Sequence, residues 1–186
     1  MKKIVLFASG SGSNAETIIR YFQERDSAQV IAVFSNNPTA MVLDKAALYN
    51  LPTYVFDKEG LNSNLVLEKL QGIQPDLIVL AGFLLQLPLA IIQAFPDKII
   101  NIHPALLPKY GGKGMYGIHV HKAVLANKEA ETGITIHYVN EHYDEGRYIF
   151  QKNILTTGCA TAEALALKVL ALEHEHFPKI IERLLS

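Results

Sequence analysis

Residues 3–14, KIVLFASGSGSN, carry the reading on which the fold turns. Ile4 to Ala8 is an unbroken apolar run of strand length, and Gly10 and Gly12 follow it at once. A strand without polar alternation is one buried on both faces, which is the condition of a parallel sheet covered by helices. The glycines let the backbone turn sharply, and Ser13 and Asn14 are residue types that open helices by capping. The expected helix runs from Asn14 to Glu24. Lys2 and Lys3 before the apolar run give it a superficial look of a secretory leader, but the run is too short and ends in a glycine turn. A first strand is the better reading.

The same alternation continues outward from this unit. Strand-length apolar runs at VIAVFSN, TYVF, DLIVLAG and KIINIH are separated by helical spacings at AMVLDKAALYN, LNSNLVLEKLQG and PLAIIQAF. Strands alternating with helices predict parallel pairing through crossovers. The pattern changes after the glycine-rich YGGKGMYG and a helix near VHKAVLAN. TGITIHYVN and GRYIFQKNIL have only EHYDE between them, too short for a crossover, so they pair antiparallel. A helix from Thr161 closes the chain, with Pro178 expected to bend or break it. The predicted fold is α/β: a Rossmann-like, doubly wound, mainly parallel sheet with helices on both faces and an antiparallel strand addition near the C-terminus. The 186 residues are read as one domain.

Bulk chemistry narrows the function. A formal net charge of −1 gives no general attraction to nucleic acid or to a membrane, and neither is expected as a partner. No stretch approaches the ~20 apolar residues of a membrane span. Cys159 is the single cysteine, so no internal disulfide forms and a reducing, cytoplasmic setting is expected. Its turn-like surroundings make Cys159 a bystander rather than a nucleophile. The sequence leaves monomer or homodimer open.

Two places carry candidate chemistry. The first is the glycine loop itself, whose helix N-terminus offers free N–H groups and a positive dipole end to a phosphate. Gly10-x-Gly12-x-x-Ala15 also meets the dinucleotide fingerprint, but the acid expected at the end of the second strand is replaced by Asn36 and Asn37. A phosphomonoester on a small substrate fits better than a nicotinamide cofactor, and a plain turn without a ligand remains open. The second is NIHPALLPKY, residues 101–110. Asn101 and His103 lie two apart at a strand end, so both side chains leave one face, on the side where such sheets bind ligands. An amide and an imidazole aimed together hydrogen-bond a carbonyl oxygen and move a proton. Pro104 and Pro108 stiffen the backbone behind them. Asp144 is placed to orient His103 and raise its pKa, or simply to make the turn at EHYDEG. His119 with His121, and His174 with His176, lie two apart on expected helices and so point away from each other; no metal is predicted.

These segments together resemble the formyltetrahydrofolate-dependent formyltransferases: ASGSGSN, FSNN, PDLIVLAGF, NIHPALLPKY and TGITIHYVNEHYDEG match in order along essentially the whole chain. NIHPALLP is shared across that family, including members that formylate methionyl-tRNA or hydrolyse formyltetrahydrofolate. The serine-glycine-asparagine loop points to the branch that acts on glycinamide ribonucleotide. The other two branches carry additional domains for which this chain is expected to have no room. The resemblance implies transfer of the formyl group of 10-formyltetrahydrofolate, as co-substrate, to the amine of glycinamide ribonucleotide in purine biosynthesis. It implies Asn101, His103 and Asp144 as the catalytic group, with His103 protonated and attack direct, through an oxyanionic tetrahedral intermediate. Gly12, Ser13 and Asn14 would hold the phosphate and Glu173 the ribose hydroxyls. The reduced folate would lie along Leu84, Leu85, Gln86 and Leu87 and against Asn101, Asn140 and Glu141. The family usually reads GFMRIL where this chain has GFLLQL, so Leu85 replaces an arginine. The segment GGKGMYGIHVH is longer than the common form, and its four glycines suggest a flap.

Overall fold

The computed structural model describes residues 1–186. Strand β1 (Lys2–Phe7) leads through the glycine loop into α1 (Ser13–Gln23), then β2 (Ala28–Ser35), α2 (Met41–Leu48) and the short β3 (Thr53–Val55). Helices α3 (Lys58–Asn62) and α4 (Asn64–Ile73) precede β4 (Leu77–Leu80), and α5 (Leu89–Ala94) precedes β5 (Ile99–His103). The chain continues with α6 (Ile118–Ala126), β6 (Glu131–Tyr138), β7 (Tyr148–Leu155) and the long α7 (Ala162–Leu185). All seven strands form one sheet in the order β3-β2-β1-β4-β5-β6-β7. Pairing is parallel from β3 to β5, and β6 and β7 add on antiparallel, as the pattern predicts.

The unbroken apolar character of β1 has a direct cause. Ile4 and Leu6 pack into one core with Ile18 and Phe22 of α1 and Leu165, Val169 and Phe177 of α7. Val5 and Phe7 face the other side, into a core with Leu70 of α4 and Ile91 of α5. Each such side chain, fully withdrawn from water, contributes roughly 1.5–3 kcal/mol. On β5, Ile100 and Ile102 serve the first core and Ile99 the second. Asn101 and His103 therefore share the side of Ile99, where that second core runs out at the strand's carboxyl end.

The connections from β1 run to β2 on one side, and the chain returns through β4 on the other. Such a reversal opens a crevice at the carboxyl ends of the strands. The glycine loop, residues 81–87 after β4, and residues 104–117 after β5 all empty into it. No helix is long and apolar enough to cross a membrane.

Three local expectations need correcting. The helix expected over 61–72 is two helices, because Ser63 sits extended and its hydroxyl accepts from the Leu65 N–H, starting α4 afresh. Gly12, not Ser13 or Asn14, is the N-cap of α1, with no side-chain cap bond. Pro178 does not break α7, which is continuous over 24 residues. Phe177, Ile180 and Ile181 are buried around it, and their packing outweighs one lost backbone hydrogen bond.

Candidate active site

The crevice is a cavity of about 990 Å³, lined by the glycine loop, the segment after β4, the end of β5, residues 112–118, the β6–β7 loop and α7. Gly12, Ser13 and Asn14 all line it. Gly12 adopts φ 68°, and a Cβ there would stand 2.5 Å from Val42, so glycine is required both by conformation and by the approach of α2. With no capping side chain, the N–H groups of Ser13, Asn14 and Ala15 make no hydrogen bond within the protein. That is the arrangement an oxyanion takes at a helix start.

Asn14 also reaches across to α7. Its Nδ2 donates to Glu173 Oε2 at 2.6 Å, while its Oδ1 is buried without a partner. Glu173 is only 7% exposed. Burial pushes its carboxyl up to about 7, and the Asn14 bond only partly offsets this. A buried acid facing a cavity beside a free amide oxygen is a site for hydroxyl groups, which both donate and accept.

Asn101, His103 and Asp144 converge at the cavity floor. His103 is 3% exposed and its Nε2 lies 2.7 Å from the Tyr110 carbonyl. A carbonyl only accepts, so that nitrogen carries a proton. Nδ1 is then the working nitrogen, and it faces Asp144 Oδ2 at 3.6 Å, a gap too long for a direct hydrogen bond. Asp144 is held in a left-handed turn, φ 58°, and its Oδ2 accepts the Gly112 N–H at 2.9 Å. Burial works against its charge, but the nearby His103 and that N–H bring it below the usual carboxylate value. It stands ionised.

His103 departs from expectation. Asp144 does raise it, as does the Tyr110 carbonyl, but burial is the larger effect and leaves the ring below its ordinary value. Burial thus favours the neutral imidazole at rest over the protonated ring that the resemblance implies. A charge arriving on it during reaction meets a carboxylate already in place.

Along the other wall, Leu84, Leu85, Gln86 and Leu87 line the cavity beside Val139 and Asn140. Leu87 is buried in the second core and Leu84 is half exposed. The N–H groups of Leu85 and Leu87 make no bond within the chain. Glu141 does not line the cavity: its side chain is exposed, and its carbonyl accepts from Gln86 Nε2 at 2.6 Å at the rim. Residues 112–117 of the long glycine segment do line it, bringing Lys113, Met115 and Tyr116. Lys113 is the only lysine or arginine on the cavity wall. The histidine pairs lie on α6 and α7, where residues two apart diverge.

Sequence reasoning missed three parts of this site. His137 is 2% exposed on β6, directly across from Asn101 in the antiparallel register. The Tyr110 carbonyl and the Gly112 amide are backbone groups with no residue signature. Only the strand alternation of TGITIHYVN carried a hint, since His137 falls on the same side as Thr135, the partner of His103.

The chain is similar to known proteins along nearly its whole length. The family model described as formyl transferase matches residues 2–181. A chloroplastic phosphoribosylglycinamide formyltransferase of Arabidopsis thaliana is 38% identical over 97% of this chain, which spans 64% of that protein's length. The phosphoribosylglycinamide formyltransferase of Bacillus subtilis is 34% identical, covering 100% of this chain and 96% of its own. Among solved structures, glycinamide ribonucleotide transformylase 1 of Geobacillus kaustophilus superposes with a TM-score of 0.91, at 34% identity over the whole of both chains.

Proposed function

The chain belongs to the formyl transferase family, and from that premise we propose that residues 1–186 act as a single domain transferring the formyl group of 10-formyltetrahydrofolate to the amine of glycinamide ribonucleotide, in purine biosynthesis. The observation that carries this reading is the convergence of three things on one cavity: free amides at a helix start, a buried acid beside them, and the Asn101–His103–Asp144 group. Both small molecules are substrates, consumed in each turnover. With Cys159 the lone cysteine, we place the reaction in the cytoplasm.

The residues present suit both substrates. The phosphate takes the N–H groups of Ser13, Asn14 and Ala15, and the ribose hydroxyls take Glu173 and the unpartnered Asn14 Oδ1. The flat ring of the folate takes the apolar wall from Leu84 to Leu87, with its polar edge on the free amides of Leu85 and Leu87. Leu85 removes the side-chain contact that an arginine would make there and leaves the backbone contacts intact.

Holding both substrates against one floor turns a bimolecular reaction into a positioned one. The amine nitrogen forms a bond to the formyl carbon, and the carbonyl electron pair moves onto oxygen. An N–H of Asn101 stabilises that oxyanion. His103 Nδ1 takes the proton released by the amine, and Asp144 stabilises the resulting imidazolium. Collapse breaks the bond between the formyl carbon and the folate nitrogen, which receives the proton from His103. No serine or cysteine lines the reacting end beside a base, and transfer is direct.

The test is incubation with 10-formyltetrahydrofolate, with and without glycinamide ribonucleotide, following folate absorbance. Deformylation that requires the amine is expected. Formate release without it would instead identify a hydrolase, and no turnover at all would sink the reading. For the phosphate loop, Gly12→Ala should raise KM for the ribonucleotide at least tenfold. The added methyl group cannot fit against Val42 at this φ without moving the loop, at a stability cost of about 1–3 kcal/mol. An unchanged KM in the folded variant would reject the loop as the phosphate site.

A further inference from the structure

His137 belongs to none of the groups that hold or transform substrate in this reading, yet it is as buried as the sheet core. It sits opposite Asn101 across the β5–β6 pair. Its Nδ1 is 2.9 Å from the Tyr138 carbonyl, its Nε2 3.2 Å from Asn101 Nδ2, and Nε2 is 3.6 Å from Asp144 Oδ1.

The bonding of the ring follows from what each neighbour can do. The Tyr138 carbonyl only accepts, so Nδ1 carries the hydrogen and donates. In a neutral ring Nε2 is then purely an acceptor. An acceptor at 3.2 Å draws the amino end of the Asn101 amide, not its oxygen. One N–H of Asn101 is spent on His137, and the second is left to point elsewhere. With the tautomer reversed, or the ring protonated, Nε2 would donate. The Asn101 amide would turn over, and its oxygen would be fixed at the position of the amino group.

We propose that His137 is a positioning residue: by holding the Nδ1–H tautomer against the Tyr138 carbonyl, it fixes the flip of the Asn101 amide so that an N–H, rather than an oxygen, faces the developing oxyanion. This rests on the reading of Asn101 as an oxyanion donor. An amide presenting its oxygen there would repel the charge it is meant to stabilise, so a group two bonds away from the substrate controls the sign of the interaction. The same Nε2 lies 3.6 Å from Asp144 Oδ1, too far for a hydrogen bond, so Asn101 is its one hydrogen-bonding neighbour on that side.

The test combines kinetics with nitrogen NMR of the histidine rings. His137→Leu keeps the bulk and removes the acceptor. It should lower kcat by about ten- to a few hundredfold, with KM for both substrates within about threefold. His137→Gln, whose side-chain oxygen can accept from Asn101, should recover a large part of that loss. In an Asn101→Ala background His137→Leu should cost almost nothing further, because its effect passes through the amide. Full loss persisting in that background, or kcat unchanged in His137→Leu while Asn101→Ala is impaired, overturns the positioning role. Asn101→Ala with near-normal kcat defeats instead the oxyanion reading of Asn101 on which this one stands. Independently of folding of any variant, long-range nitrogen–proton spectra of the parent protein should show His137 as the Nδ1–H tautomer at the assay pH. The Nε2–H form, or a doubly protonated ring, overturns the proposal.

Discussion

Asp144→Asn should lower kcat by roughly 10³-fold, within the 10²–10⁴ range for a positioned proton-transfer group, while KM for either substrate moves by less than about threefold. The asparagine has nearly the shape of the aspartate, and its oxygen can still accept the Gly112 N–H, so the turn at φ 58° is retained. What disappears is the charge 3.6 Å from His103 Nδ1. Burial already holds that ring below its ordinary value, and the carboxylate is the largest influence pulling it back. Without it, the imidazole is left without the partner that, in the proposed reaction, stabilises the proton taken from the attacking amine. His103→Ala should lose a similar factor, and the double variant should be little worse than either single one, because the two act as a unit. Steady-state kinetics on the three proteins decides this. Near-parental kcat in either single variant would remove the pair from the reaction.

Much of this arrangement is local in the chain, and what is local is legible. Asn101 and His103 can be paired from the sequence because two residues of one strand share a face whatever the strand packs against. The glycine loop is legible for the same reason: strand, turn and helix start are contiguous, and Gly12 is needed for a conformation within the loop itself. His137 is of another kind. Its place opposite Asn101 depends on the register of β5 with β6, set by the folding of all the chain between them. The Tyr110 carbonyl and Gly112 amide, which fix the working nitrogen of His103 and the orientation of Asp144, carry no side chain to be read. Pro178 fails in the opposite direction, for a helix-breaking residue has been overruled by the burial of its neighbours in α7. Glu141 beside Asn140 shows how a loop escapes any period: adjacent residues divide between the cavity and the solvent.

The polar floor also explains the resting charge state. A site that kept His103 permanently protonated would offer no place for the amine's proton. Burial that favours the neutral ring, with a carboxylate near enough to hold the cation once formed, suits the proposed role of a base that becomes an acid within one turnover. The Nδ1 to Asp144 distance of 3.6 Å leaves that nitrogen without a direct partner, so it is available to substrate.

Glu173→Gln should stabilise the protein above neutral pH while weakening the ribonucleotide. The folded protein binds the Glu173 proton more tightly than the unfolded chain does, since burial lifts the group from 4.5 to about 7. The contribution from this proton is fully present below 4.5 and is lost as pH rises to about 7; beyond that the fold bears a buried carboxylate. At about 1.4 kcal/mol for each tenfold change in proton affinity, the cost approaches about 3 kcal/mol at pH 8. Glutamine never ionises, and its amino group can donate to Asn14 Oδ1, now buried without a partner, while its oxygen keeps the bond from Asn14 Nδ2. Denaturant unfolding should therefore show the stability difference between variant and parent shifting in the variant's favour by about 3 kcal/mol from pH 4.5 to pH 8. The gain has a functional cost, because the amino group that pairs with Asn14 no longer accepts from a hydroxyl. KM for glycinamide ribonucleotide should rise about tenfold, the value of one lost hydrogen bond to a charged group, with KM for the folate unchanged. A pH-independent stability difference would show that Glu173 is not the buried titrating acid, and an unchanged ribonucleotide KM would separate it from the sugar.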